Sequence, residues 1–304
     1  MQYDFVTLDV FTDTMFGGNP LAVLPDARGL TTEKMQAIAR EFNYSETTFV
    51  LPPEDENNTR KVRIFTPMAE IPFAGHPNVG TAVALARLNL LGEVIAGQRI
   101  LFEEGAGVVS LMLRGNGGDI DAAEFIAPVI NCFEDEVPVD EAAKTLGLSP
   151  DKVVTRNHAP RIVSSGVRFL YIELTDLEAL SLSEAAPGPV TRVSAARGLD
   201  GVFTYVRLDD ASKNGVDFRA RMYAPLHGVM EDPATGSANA GLANLLASLS
   251  KEPDATLRWS VAQGVEMKRP SRLEITAERR KGEIVEIRVA GSAVVACRGQ
   301  IDVP

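Results

Sequence analysis

The chain has 304 residues, 45% of them hydrophobic and 23% charged, and a formal net charge of -11. That length exceeds one ordinary core and predicts about two domains. The acidic balance, with no basic stripe, argues against a nucleic-acid-binding surface. No run of about 18 apolar residues is present to span a membrane. Two cysteines, Cys132 and Cys297, and three scattered histidines offer neither a disulfide framework nor a zinc site.

Met1–Val10 alternates polar and apolar residues and lacks the basic start and apolar centre of a signal peptide, which predicts the first strand of a cytoplasmic protein. Leu21–Leu24 reads as a second strand after Gly17-Gly18-Asn19-Pro20, a glycine pair with no Walker lysine behind it. Thr32 is a candidate N-cap for a helix whose apolar face is Met35, Ile38, Ala39 and Phe42, ending near Asn43. Strands follow at Thr47–Leu51 and Arg60–Phe65, then an alanine-rich helix from Pro77 to Leu91. Arg99–Phe102, Val108–Leu113 and Glu124–Ile126 read as further strands, with a turn at Gly115-Asn116-Gly117-Gly118.

After Ala127-Pro128 the pattern restarts. It gives a short helix at Val139–Leu146 and strands at Phe169–Leu174, Gly201–Leu208 and Phe218–Tyr223. A second alanine-rich helix follows from Pro233 to Leu249, then strands at Leu257–Val261, Arg272–Thr276, Ile284–Val289 and Ala293–Cys297. The mixed charges around Gly282 read as a hairpin turn. The expected fold class is α+β: two similar domains, residues 1–126 (completed by 290–304) and 127–289, each a curled, mostly antiparallel sheet around a central helix.

The restart is also a repeat. His76-Pro77-Asn78-Val79-Gly80-Thr81-Ala82 aligns without gaps onto Asp232-Pro233-Ala234-Thr235-Gly236-Ser237-Ala238, and Ile64-Phe65-Thr66-Pro67 upstream onto Met222-Tyr223-Ala224-Pro225. Proline suits the first helical position, and the N–H groups behind it stay free to bind an anion. Gly80 and Gly236 permit close approach, and Thr81 and Ser237 add hydroxyls, so the two helix starts suit a small carboxylate-bearing molecule. Asp232 reads equally as an ordinary N-cap or as a functional group, whereas His76 is a poor cap and asks for another role. Glu46, alone in its loop, reads first as a solvated carboxylate.

The segments Asp9-Val10-Phe11-Thr12, Gly18-Asn19-Pro20-Leu21-Ala22-Val23, Ser45-Glu46-Thr47-Thr48-Phe49-Val50, Pro72-Phe73-Ala74-Gly75-His76-Pro77 and Glu231-Asp232-Pro233-Ala234-Thr235-Gly236-Ser237-Ala238, with Gln263-Gly264 and Arg269-Pro270-Ser271, resemble the PhzF family of the diaminopimelate epimerase-like fold. The resemblance implies an active site in the cleft between the domains and a cofactor-free, metal-free isomerase, commonly a homodimer. It makes Glu46 the residue that moves a proton between carbons, an acid/base task that works best when burial raises a carboxyl pKa toward neutrality. His76 and Asp232 join it as catalytic groups, with Asn19, Gly75, Pro77, Gly80, Gly236 and Ser237 at the substrate. The cysteines that serve the epimerases of this fold are absent here, since those places hold Gly75 or His76 and Asp232. Two alternatives stay open: a racemase or epimerase with Glu46 and His76 or Asp232 as opposed bases, and a non-catalytic binding member of the fold.

Overall fold

The computed structural model describes residues 1–127, 132–164, 166–184, 187–209, 211 and 215–304; Pro128, at the restart of the pattern, lies outside them. The chain divides into two compact units, residues 1–126 with 290–304, and residues 127–289.

In the first unit β1 (Gln2–Val10) and β2 (Asn19–Leu24) pair antiparallel, and α1 (Thr32–Phe42) carries the chain to β3 (Glu46–Leu51), parallel to β2. β4 (Arg60–Phe65) runs antiparallel to β3 and takes the short β5 (Glu70–Ile71) on its end. α2 (Gly75–Arg87) then crosses to β6 (Arg99–Glu104), parallel to β4, followed by the antiparallel β7 (Gly107–Asn116) and β8 (Asp119–Ile126). A parallel neighbour needs a crossover, and helices provide both.

The second unit opens with β9 (Cys132–Glu136), α3 (Val139–Thr145) and β10 (Arg161–Ser164), and then repeats that order. β10 pairs antiparallel with β11 (Arg168–Glu173), and α4 (Leu177–Leu182) and α5 (Pro187–Arg197) lead to β12 (Gly201–Arg207), parallel to β11. β13 (Phe218–Ala224) is antiparallel to β12 and to β14 (Val229–Asp232). α6 (Gly236–Ser248) crosses to β15 (Ala255–Gln263), parallel to β13, and β16 (Ser271–Arg280) returns antiparallel. Pairing for pairing, the duplication expected from a few residues is a duplication of topology.

Each unit's long helix is buried almost all round, Gly75–Ala86 in α2 and Gly236–Ala247 in α6. Such a helix is a core element and needs no polar face, so its sequence is alanine-rich instead of amphipathic. Both carry a glycine where a neighbour comes close. A Cβ on Gly80 would lie 2.5 Å from Leu21 Cδ2, and one on Gly241 would lie 2.0 Å from the Tyr171 hydroxyl. That hydroxyl donates to the Ala238 carbonyl at 2.7 Å, tying β11 to α6.

Several expectations change in detail. Thr31, not Thr32, caps α1, its hydroxyl accepting from the Lys34 N–H; Asn43 ends the helix in the left-handed region with φ 53°. The two closing strands are one, β17 (Glu283–Asp302), whose residues from Ala293 to Asp302 pair antiparallel with β1. Strand pairing is mixed, with four parallel pairs among mostly antiparallel ones in the described residues. α4 and α5 lie between the expected strands Phe169–Leu174 and Gly201–Leu208, where the sequence pattern marks no helix; α5 opens on Pro187-Gly188-Pro189. Arg280 and Glu283 flank Lys281 and Gly282, both at positive φ, as a two-residue hairpin turn requires. Among the described residues no helix is long and apolar enough to cross a membrane.

Candidate active site

α2 begins after the extended Ala74 and α6 after the extended Thr235, and neither cap residue bonds its own helix by a side chain. Counting from these caps sets Gly75-His76-Pro77-Asn78-Val79-Gly80 against Gly236-Ser237-Ala238-Asn239-Ala240-Gly241. The asparagines confirm the match: Asn78 Nδ2 donates to the Ala74 carbonyl and Asn239 Nδ2 to the Thr235 carbonyl, each at 3.0 Å. The gapless alignment of the sequences is therefore corrected. His76 has Ser237 as its counterpart, not Asp232. Pro77 is the third residue of α2, still in the turn whose N–H groups lack helical partners, while Pro233 precedes its helix altogether. Asp232 ends β14 and does not cap α6.

In the first unit three predicted residues meet. The parallel pairing of β2 and β3, with Leu21 opposite Glu46, brings the starts of both strands to one edge. Asn19 opens β2 after Gly18, which sits at φ +60 with its α-carbon so near the Val10 carbonyl that a Cβ would lie 2.4 Å from the oxygen. Glu46 opens β3 three residues after Asn43, which ends α1. His76 reaches both: Nε2 is 3.4 Å from Glu46 Oε2, and Nδ1 is 3.3 Å from Asn19 Nδ2. Ser45 Oγ donates to Asn19 Oδ1 at 2.9 Å and steadies the amide.

His76 is buried, and burial pushes its pKa down to about 3, against the opposing effect of a ring hydrogen bond to the Pro20 carbonyl. The ring is therefore neutral at pH 7, and its approach to Glu46 is that of an imidazole to a carboxyl group, not an ion pair. A neutral ring has one N–H. The Pro20 carbonyl can only accept and Nε2 makes no hydrogen bond, so the N–H sits on Nδ1 and the Nε2 lone pair faces Glu46. Glu46 thus lies beside a neutral acceptor that can receive a hydrogen bond from its protonated form.

In the second unit Asp232 and Ser237 are both buried. Asp232 Oδ2 accepts from the Thr235 hydroxyl at 2.5 Å. Gln263 holds this corner together. Its Oε1 accepts from the Thr235 N–H at 3.2 Å and from Asn239 Nδ2 at 3.0 Å, while its Nε2 donates to the Asp232 carbonyl at 2.8 Å and lies 3.1 Å from Thr235 Oγ1. Gly236 and Ser237 are the first two residues of α6, where a side-chain Cβ and free N–H groups point toward the helix start.

Gly75 and Pro77 lie in the equivalent turn of α2, but Gly80 is a turn further on, packed against Val10 and Leu21. The Thr81 hydroxyl, read with Ser237 as a ligand group, is 2.9 Å from the Thr48 hydroxyl and joins α2 to β3. Threonine and glutamine carry no signature of their own, so the sequence does not mark Thr235 and Gln263 as site residues. Among the described residues no cluster of three His, Cys, Asp or Glu suited to a metal is present. The exposed Cys297 lies in β17.

Comparison with known proteins agrees with this architecture. The sequence pattern of the PhzC-PhzF family, phenazine biosynthesis-like proteins, matches residues 8–299. An uncharacterised isomerase of Mesorhizobium japonicum is 36% identical over 301 residues, covering 98% of each chain. The trans-2,3-dihydro-3-hydroxyanthranilate isomerase of Pseudomonas chlororaphis is 34% identical over 300 residues, covering 99% of each. The crystal structure of a PhzF-family phenazine biosynthesis protein from Bacillus anthracis superposes with a TM-score of 0.88 at 25% identity, covering 100% of each chain.

Proposed function

This chain belongs to the phenazine biosynthesis-like family and is an isomerase with the diaminopimelate epimerase-like fold, and from that premise we propose that it shifts a proton within a small carboxylate-bearing substrate without a cofactor. The observation that carries the reading is the contact of the half-buried Glu46 with the buried, neutral His76. In the proposed step the Glu46 carboxylate takes a proton from a substrate carbon, the double bond moves, and the carboxylic acid returns the proton to another carbon. No electrons are gained or lost. His76 keeps the carboxyl group aimed, its Nε2 accepting a hydrogen bond from the protonated form. In the second unit, Ser237 and the N–H groups at the start of α6 suit a carboxylate, and Asp232, fixed by Thr235, suits a polar group of the substrate. The working form is proposed to be a cytoplasmic homodimer, which sedimentation of the purified protein tests.

The relative from Pseudomonas chlororaphis supplies the first substrate to try, trans-2,3-dihydro-3-hydroxyanthranilate. Turnover in heavy water, followed by proton NMR, is expected to show the double bond moved, with deuterium at the new carbon only to the extent that the protonated Glu46 exchanges with solvent before returning its proton. Exchange of an α-proton with inversion would instead mark an epimerase. Glu46→Gln keeps the shape and removes the base, so turnover is expected to fall by about a thousandfold or more, within the range of acid/base contributions. Full activity in that variant would refute the assignment.

A further inference from the structure

α6 shows how one helix start is held in place, and the first unit contains the matching part. Gln263 is the last residue of β15, the strand parallel to β13. The strand in that position of the first unit is β6, parallel to β4, and its last residue is Glu104. Each is followed by a glycine packed on a proline: a Cβ on Gly264 would lie 3.0 Å from Pro233 Cα, and one on Gly105 would lie 2.9 Å from Pro72 Cα. Each also meets the asparagine at the fourth helical position, Gln263 by its bond from Asn239 and Glu104 by a side-chain contact with Asn78. Glu104 thus stands where Gln263 stands, with a carboxyl group in place of a carboxamide.

A carboxylate accepts hydrogen bonds but cannot donate, whereas Gln263 does both. The two carboxyl oxygens of Glu104 are buried and, like Asn78 Oδ1, make no hydrogen bond of ordinary geometry. Burial pushes the Glu104 pKa well above the usual carboxylate range, the Asn78 contact opposing. Around it stand Gly107 opposite on β7, Pro72 beside Gly105, and Asn78 on α2, and among the described residues no charged side chain acts on it. The neutral acid has one acceptor oxygen and one O–H, the same inventory that Gln263 uses on the Thr235–Asn239 turn.

We propose that Glu104 is a positioning residue, its carboxylic acid holding the first turn of α2 through Asn78 and the Ala74 cap as Gln263 holds that of α6, and so setting His76 against Glu46. The inference rests on the roles given to Glu46 and His76 above.

The experiment compares wild type, Glu104→Gln and Glu104→Ala by thermal unfolding from pH 5 to 9 and by turnover of trans-2,3-dihydro-3-hydroxyanthranilate. A carboxyl group whose folded pKa is raised contributes stability that is present below its unfolded value, near 4.5, and lost as pH rises through the folded one. The wild type is expected to lose stability along that limb. Glu104→Gln is expected to lack the loss, to be the more stable protein at pH 8, and to keep kcat within about twofold. Glu104→Ala is expected to lower kcat by about ten- to a hundredfold with KM less affected, the signature of a misplaced reacting group. If Glu104→Gln shows the wild-type pH curve, or harms turnover as much as Glu104→Ala, the proposal is wrong. The unfolding arm uses no substrate, so absence of turnover in the wild type would count against the proposed reaction and leave Glu104 to be judged by its pH curve.

Discussion

Replacing His76 with glutamine tests the electrostatics at the centre of the proposed site. The imidazole is 3% exposed, and burial lowers its pKa from 6.5 to about 3. The unfolded chain therefore binds a proton below pH 6.5 that the folded chain refuses. Stability from this residue is present above pH 6.5 and is lost as pH falls toward 3. At about 1.4 kcal/mol per pH unit, the loss is about 2 kcal/mol by pH 5 and about 5 kcal/mol by pH 3. A loss of that size is a large part of a typical folding free energy of about 5–15 kcal/mol. Urea unfolding at pH 5, 6, 7 and 8 measures it, and His76→Gln, which does not titrate, supplies the baseline. The buried His158, whose pKa burial also lowers, contributes to both proteins and cancels in the difference. The variant is expected to fall less steeply with acid than the wild type. Identical slopes would mean that the ring titrates alike in folded and unfolded chains, and a wild type that loses stability relative to the variant as pH rises above 6.5 would mean that Glu46, 3.4 Å away, keeps it protonated; either result would refute the neutral-imidazole account.

Two further predictions concern the supports. Gln263→Leu leaves the Thr235 N–H, one Asn239 N–H and the Asp232 carbonyl without their partner; at about 1–3 kcal/mol for each buried orphan, urea unfolding is expected to show a loss of at least about 3 kcal/mol, and a change below about 1 kcal/mol would show the network to be idle. Thr31→Ala removes the true cap of α1 and is expected to cost about 1 kcal/mol, whereas Thr32→Ala, which removes only an exposed contact with Arg63, is expected to stay within about 0.5 kcal/mol of wild type; equal costs would return the cap to Thr32.

The duplication was visible as a pair of proline-led segments, but its register was not. The prolines matched most readily, Pro77 and Pro233, have different structural places, one inside a helix and one before it. The structural match runs through Gly75 and Gly236, Asn78 and Asn239, and Gly80 and Gly241, which are small or polar groups set by contacts at the cap and along the helix. An eye searching for helix starts follows proline, whereas the fold is registered by which backbone carbonyl each asparagine reaches. The same reason hid Gln263 and Glu104. Their importance lies in partners 28 and 26 positions away in sequence, Thr235 and Asn78.

The sequence by itself determined the class of the protein, because strand alternation, two alanine-rich helices and the spaced motifs survive in any reading of the linear order. It also named Glu46, His76 and Asp232, although Glu46 only through the resemblance, since an isolated acidic residue in a loop carries no local sign of its work. Only the tertiary structure decided that His76 is neutral and that Glu46 stands beside it. Charge state depends on burial, and burial on strands and helices from separate parts of the chain closing over one ring. Composition reports how many charges a protein has, and packing decides which of its groups can hold one.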